Sequence, residues 1–355
     1  MSTEIVMAEP FFDGNVLALV KNGIIQDFFA DFNSLENDLV GSIFIGEVDR
    51  ISKDLNSSFI KLPFNKMGFL KGIRNLHSGD KIILQATNYT PIDKALVVTQ
   101  NISFKGRYVV ITSKNNRISF SRNIKEKKRR LELLNILDDF EDVRIKKVGI
   151  IFRSLCINSN SEIIINDLKK QLLRYSDVFG NEVNSVCQLV KAPNALEKSY
   201  LEWNQFSNQN IIKEKGCFDH YSIWEQILSL RNKIVDLASG GNLIIEKTQA
   251  FVAIDINTSK NNSLSSALKV NIEAIREIPR QLRLRGLGGK IIIETGPLLK
   301  KHRKKIEEVL SKSALYSDKL KIVGWSNLGN LELEMPRSRC PLNDSEFDQI
   351  EKNLH

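Results

Sequence analysis

No apolar run in the sequence approaches the roughly 18 residues that a membrane-spanning helix needs, so no transmembrane segment is expected. The N-terminus carries Glu4, Glu9 and Asp13 where a secretory leader would be basic and then apolar, and a cytoplasmic location is expected. Cysteine is scarce: Cys156, Cys187, Cys217 and Cys340 are scattered, and no Cys-x-x-Cys pair marks a zinc site or redox motif. They read as reduced thiols, which excludes a disulfide scaffold. Net acidity is lacking too, since 51 Lys and Arg stand against 42 Asp and Glu, for a formal charge of +9. That balance favours polyanionic partners, either nucleic acid or anionic membrane. What is present, 355 residues with 42% hydrophobic and 26% charged, is enough for two or three cores, and so for a multidomain protein.

Residues 16–29 read as a hairpin, because VLALV and IIQDFF flank Asn22–Gly23, a dipeptide suited to the positive φ values of a tight turn. From Gly41 to Asn101 come five short apolar stretches, SIFIGEV, SSFIKL, MGFL, KIILQAT and ALVVTQ, separated by turn-forming residues. Five short strands in this span suit a small closed barrel of the OB type. Such barrels often carry exposed aromatics on a ligand-binding face; Phe59 and Phe69 are candidates for it, or are plain core. GRYVVIT from Gly106 reads as a strand. Between Arg122 and Arg130 stand six basic residues and one acid, a run that reads as a solvated helix face leading into an amphipathic helix. Residues 146–152 read as a strand and 161–175 as a helix, while 176–220 give little periodic signal.

From residue 222 the pattern alternates: a helix over 222–236, strands at NLIIEKT and AFVAIDI, a long helix, then KIIIE, a basic helix and KLKIVGW. Alternation of this kind indicates an α/β layer on a largely buried sheet. In the long helix Leu264, Leu268, Ile272, Ile275, Ile278 and Leu282 form one apolar stripe at steps of three and four. Pro279 lies inside it, and because proline removes a backbone hydrogen bond the helix is expected to bend near Ile275 or restart.

Asp255 closes FVAID and Glu294 closes KIIIE, so two carboxylates end apolar strands joined by a helix. In a βαβ unit the strands are parallel neighbours and both acids emerge on one edge, where ligands of such sheets bind. With the Asn257 amide they offer the hard oxygen ligands that Mg²⁺ takes, water filling the rest. Such an ion offsets phosphate charge and activates a bound water. The alternative is that both acids cap helices or stay solvated.

FVAIDINTSK, then VNIEAIREIPRQLRLRGLGGKIIIE, then LELEMPRSR resemble the core of ribonucleases E and G in order and spacing, and SGGNLIIEKTQA, GSIFIGEV, SSFIKL with MGFL, and GRYVVI with SFSRNI fit the same family's order upstream. The resemblance covers nearly the whole chain and is strongest over 222–340. It implies a multidomain α/β and α+β fold. An S1-type OB-fold barrel (41–102) would be inserted in an RNase H-like subdomain (1–40 with 191–220). A 5′-sensor region (103–190), a DNase I-like α/β catalytic subdomain (221–345) and a tail (346–355) would follow. It further implies that Asp255 and Glu294 hold Mg²⁺, or Mn²⁺, that Asn257 orients the attacked phosphate or the water, and that Phe59, Phe69 and Lys94 contact single-stranded RNA. The 5′-monophosphate pocket falls on Arg129 and Arg130, the backbone of Gly106 and Val110, and Lys319.

The departures from the family's pattern are specific. Its second metal-binding aspartate is Glu294 here, which moves the charge out by about 1.5 Å, one carbon–carbon bond. The residues that follow are Thr295–Gly296–Pro297–Leu298 where the family has Phe-Ile-Asp-Met. Its sensor pair is an arginine followed by a small polar residue, whereas Arg130 is long and cationic. Cys340–Pro341 comes too early for the zinc-link and lacks its second cysteine, so no zinc is expected. Ending at His355 also leaves out the small C-terminal assembly domain, so any oligomer would use another surface. The stretch 190–220 is shorter than its counterpart.

Taken together these features predict a metal-dependent endoribonuclease that cuts single-stranded RNA and leaves a 5′-phosphate and a 3′-hydroxyl. Glu294, Pro297 and the missing assembly domain keep open a non-catalytic single-stranded RNA-binding protein. The KKHRKK run at 300–305 is the one feature favouring a ribonucleoprotein scaffold.

Overall fold

Asn22 and Gly23 take φ of 51° and 77° in the computed structural model, the pair of left-handed residues that a two-residue hairpin turn demands. They join β2 (Gly14–Lys21) to β3 (Ile24–Ala30), and β1 (Glu4–Phe11) pairs antiparallel with β2. The structure describes residues 4–32, 39–72, 75–91, 94–114, 116–138, 140, 147–180, 184–203, 211–214, 216–258, 263–314 and 318–354. The chain divides into two units, 1–38 with 205–355, and 39–204.

In the 39–204 unit, β4 (Ile43–Ser52), β5 (Ser57–Lys61), β6 (Met67–Lys71), β7 (Lys81–Ala86) and β8 (Leu96–Thr99) close into a barrel, because β4 pairs with both β5 and β7. Strand alternation sends Phe44, Val48, Ile60, Leu70, Leu84 and Val98 to its interior. β9 (Ser103–Lys105), β10 (Val109–Thr112), β11 (Ile118–Phe120) and β12 (Gly149–Phe152) form a second sheet, after whose third strand comes α1 (Lys127–Asp138). Helix α2 (Ser161–Phe179), capped by the Asn160 side chain accepting from the Ile163 N–H at 3.0 Å, buries Ile164, Leu168 and Leu172 against that sheet. The 176–220 stretch, featureless in sequence, contributes β13 (Cys187–Val190), which pairs with β4 outside the closed set, and α3 (Ala195–Glu202).

In the other unit β14 (Ile211–Ile212) lies parallel to β1, and α4 (Cys217–His220) and α5 (Ile223–Ser229) pack Phe218, Ile223 and Trp224 on the β1–β3 sheet. The helix expected over 222–236 is thus two elements: α5 stops at Ser229, and Ile234–Leu237 is strand β15, paired with β16 (Gly241–Lys247). The β-branched Ile234 and Val235 find antiparallel partners across the turn at Gly240, whose φ is 85°; tertiary pairing overrides helical continuation here. β17 (Val252–Asn257), α6 (Leu264–Leu284) and β18 (Gly289–Glu294) make the βαβ unit, followed by α7 (Arg303–Ser313), β19 (Lys321–Trp325) and β20 (Leu331–Met335). The sheet order is β15-β16-β17-β18-β20-β19.

Helix α6 is a single element through Pro279, so no restart occurs. Its buried stripe is Ala267, Val270, Ala274, Ile275, Ile278 and Leu282, whereas Leu264, expected in it, is 54% exposed. The expected 346–355 tail is largely α8 (Asp344–Leu354), whose Phe347 and Ile350 join the core of the β1–β3 sheet. That shared core also contains Leu284 of α6, and the division into two units places residues 1–38 with the sheet following residue 221, and 191–204 with the barrel.

Burial pushes the Cys156 and Cys217 thiols up to about 12. Since the thiolate is the nucleophile, alkylation of native protein at pH near 8 should spare both until denaturant is added, as peptide mass spectrometry would show.

Candidate active site and nucleic-acid interface

β17 and β18 run parallel with Asp255 in register with Glu294. Ile254, Ile256 and Ile293 enter the helix-covered core, so alternation turns Asp255, Asn257 and Glu294 to the opposite face. Asp255 is half-buried and the other two are exposed. Adjacent strands are about 4.8 Å apart, so the acids face each other at one strand spacing. The Asn257 amide donates to Asp255 Oδ2 at 3.0 Å. Glu294 makes no hydrogen bond or ion pair among the described residues.

Helix α6 holds the loops on both sides of this edge. Fully buried Asn271 donates from Nδ2 to the Gly296 carbonyl at 3.3 Å, just beyond Glu294. A Cβ on Gly296 would sit 2.6 Å from Thr258 Cγ2, so glycine there lets the ends of β17 and β18 close together. Glu273 accepts from the Ala238 and Ser239 N–H groups at 2.8 and 3.0 Å, fixing the turn before β16. Hydrogen bonds from the Ser239 side chain and from these backbone groups hold its carboxyl below the usual glutamate range. Neither Asn271 nor Glu273 stood out in the sequence as a site residue, although their two-residue spacing on an apolar helix was a usable signal.

The arginine-rich block of α6 serves the fold. Arg280 donates to the Ile25 carbonyl at 2.6 Å, and Arg283 donates to the Gln26 carbonyl and, from Nη1, to both carboxylate oxygens of Asp318 at 3.0 and 2.8 Å. Arg285 donates to the carbonyls of Leu230 and Asn232 at 2.7 and 2.9 Å, and burial pushes its pKa down to about 10. Arg339 pairs with Asp27 at 2.9 Å. These guanidiniums are tied to backbone and buried acid.

On the barrel, Phe59 of β5 and Phe69 of β6 are register partners with ring centroids 5.7 Å apart, edge to face. Their neighbours Ile60 and Leu70 fill the interior, so the pair lies on the outer face and the core alternative is excluded. Arg50, overlooked in the sequence, stands 4.4 Å from the Phe59 ring centroid, having been brought there by the β4 bulge between Val48 and Arg50. Lys94 is exposed in the turn before β8.

The arginines expected at a 5′-phosphate pocket make bonds within the fold. Arg129 donates to the carbonyls of Cys156 and Ser159 at 2.8 and 2.5 Å and pairs with Glu132, and Arg130 donates to the Ile124 carbonyl at 2.7 Å. The guanidinium bonded to Gly106 is that of Arg153, which reaches its carbonyl at 2.7 Å. Arg153–Ser154 is an arginine followed by a small polar residue, the pattern that Arg129–Arg130 lacked. Asp167 accepts from the Tyr108 and Val109 N–H groups at 2.7 and 3.0 Å, and a Cβ on Gly106 would collide with its carboxylate. Val110 lies in mid-sheet between Lys105 and Ile151. Lys319, at φ 48°, belongs to the other unit.

The site features are thus an outward aromatic pair on a closed barrel and a facing carboxylate pair at a sheet edge. The profile of the Ribonuclease E/G family matches residues 103–212 and 197–340, and the chain belongs to that family. Ribonuclease G of Haemophilus influenzae is 25% identical over 91% of this chain and 77% of its own length. A putative ribonuclease E of Buchnera aphidicola is 28% identical over 85% and 87%. Ribonuclease E of Synechocystis is 27% identical over 83% of this chain and 50% of its own length.

Proposed function

We propose that this protein is an endoribonuclease that cuts single-stranded RNA, with a divalent cation held by Asp255 and Glu294. The observation that carries the reading is their register. Like charges facing each other across neighbouring strands destabilise a sheet, and no basic group neutralises Glu294 among the described residues. A shared cation removes that cost. Among the described residues no three His, Cys, Asp or Glu cluster as a complete cage; two carboxylates and an amide oxygen suit a hard ion that keeps several waters. When bound, Mg²⁺ or Mn²⁺ supplies a Lewis acid and a water of lowered pKa.

The remaining work falls to the protein. Asn257, braced on Asp255, orients the attacked phosphate through its free amide edge. Exposed Lys300 and Lys301, in the turn before α7, and Lys304 and Lys305, in its first turn, follow Glu294 and attract the strand's phosphates. Water adds to phosphorus, the bond to the 3′-oxygen breaks, and that oxygen leaves with a proton, giving a 5′-phosphate and a 3′-hydroxyl. In this reading the barrel is an S1-type clamp that stacks bases on Phe59 and Phe69, with Lys94 on phosphate, and the six-stranded layer is the DNase I-like catalytic part beside the RNase H-like β1–β3 sheet.

The test is to incubate a labelled A/U-rich single strand with purified protein and Mg²⁺ or Mn²⁺. Fragments with 5′-phosphate ends that stop forming on chelation are expected; intact RNA under every metal, with tight binding, would favour the RNA-binding alternative instead. A second expectation concerns the clamp. Phe59→Ala or Arg50→Ala should weaken single-strand binding roughly five- to a hundredfold, because stacking on an aromatic is worth about 1–3 kcal/mol per base. Both should leave the cleavage rate at saturating RNA near wild type, as titration by fluorescence anisotropy beside a saturation curve would show.

A further inference from the structure

The β5–β6 hairpin turns through Pro63, Phe64, Asn65 and Lys66, with the Lys66 N–H donating to the Pro63 carbonyl at 3.4 Å and the Leu62 N–H to the Lys66 carbonyl at 2.9 Å. Phe64 and Asn65 have φ of 61° and 59°, two successive left-handed residues of the kind a type I′ turn requires. Asparagine, aspartate or glycine normally fills both places, since a bulky side chain is penalised in that conformation. Asn65 obeys the rule and Phe64 breaks it.

Packing does not account for the exception. Phe64 is 66% exposed, and it has no aromatic or cationic neighbour among the described residues. Phe12 is also left-handed, at φ 48°, but its ring packs edge-on against Phe11 at 4.9 Å. A strained residue that gains nothing from its surroundings points to a use outside the fold.

The hairpin shows what that use is. Its outward positions run from the Phe59–Phe69 rung to Lys61 opposite Met67 and then to the tip. Over five residues at about 3.3 Å each, Phe64 lies roughly 16 Å along the strand from Phe59. Arg50, Lys61 and Lys66 flank this path, with Asp49, paired to Lys61 at 3.1 Å, and Glu47, the register partner of Lys61, as the acids among them. Alternating cations and upturned rings complement a chain of phosphates and bases.

We infer that Phe64 is a third base-stacking position, which extends the bound single-stranded RNA from the Phe59–Phe69 rung to the hairpin tip. The inference rests on the reading of the barrel as an RNA clamp, and the test separates the two. Anisotropy titrations would use the full chain with end-labelled oligouridylates of about 5 and about 12 nucleotides, lengths spanning what one such barrel covers. Phe64→Ala and Phe64→Asn should each lower affinity for the longer oligomer at least about fivefold and leave the shorter unchanged. Phe64→Asn relieves the turn, so its thermal midpoint should equal or exceed wild type, which removes misfolding as the cause. Wild-type affinity in both Phe64 variants, beside weakened binding in Phe59→Ala, overturns the third position alone. Wild-type affinity in all three variants overturns the clamp as well.

Discussion

Asp255→Ala should cut RNA on the order of a thousandfold more slowly than wild type while binding it at least as tightly. Removing one group that stabilises charge in the transition state typically costs 10²- to 10³-fold. Here the change also leaves Glu294 as the single anionic ligand of an ion that tolerates little geometric error. Affinity for RNA should hold or rise, because a negative charge beside the phosphates is gone. Single-turnover cleavage of a labelled strand, set beside equilibrium binding in Ca²⁺ or chelator, gives both quantities. Cleavage within tenfold of wild type would remove Asp255 from the chemistry, and with it the cation between β17 and β18. Glu294→Gln provides the partner measurement and should show the same separation of rate from binding.

Arg283→Ala should destabilise the 1–38 and 205–355 unit by about 3–5 kcal/mol, the range found when one member of a buried ion pair is deleted. Arg283 and Asp318 side chains are 4% and 2% exposed. The same guanidinium also holds the Gln26 carbonyl through two hydrogen bonds of 3.1 and 3.0 Å. Deletion therefore takes the Arg283 donors away from a buried carboxylate and a carbonyl. Urea midpoints measure the loss, and Arg283→Met with Asp318→Leu should recover a large part of it, since an apolar pair of similar volume replaces a buried ion pair at little cost. A surface role for Arg283 in gripping RNA would instead leave the midpoint unmoved and weaken binding.

The contrast between these two sites marks what was legible in the amino-acid string. Asn22–Gly23, the five barrel strands and the strand–helix–strand around α6 are local patterns, set by turn chemistry and by periods of two and 3.6 residues, and each forms where expected. Asp255 and Glu294 could be placed at one edge because a parallel crossover has essentially one geometry. The pairing of β13 with β4 joins residues 187–190 to 43–45, and no local period announces a contact so distant in sequence. Arg153 escaped notice for the same reason: its bond to the Gly106 carbonyl spans 47 residues. Arg129 and Arg130 drew attention through the resemblance to the family, yet their donors close on the carbonyls of neighbouring loops. The α8 helix was hidden because its apolar residues Phe347 and Ile350 have meaning only against the β1–β3 sheet.

The side-by-side alignment of β17 and β18 makes activity a sensor of strand sliding. If β18 slipped by one position against β17, Glu294 would rotate beneath the sheet among the isoleucines, while the helices and most of the circular dichroism signal stayed as they were. A refolded preparation containing such a fraction would look native by ellipticity and count as partly dead by active-site titration. The gap between the two counts would measure how faithfully the GLGG turn, residues 286–289, starts that strand in the correct frame.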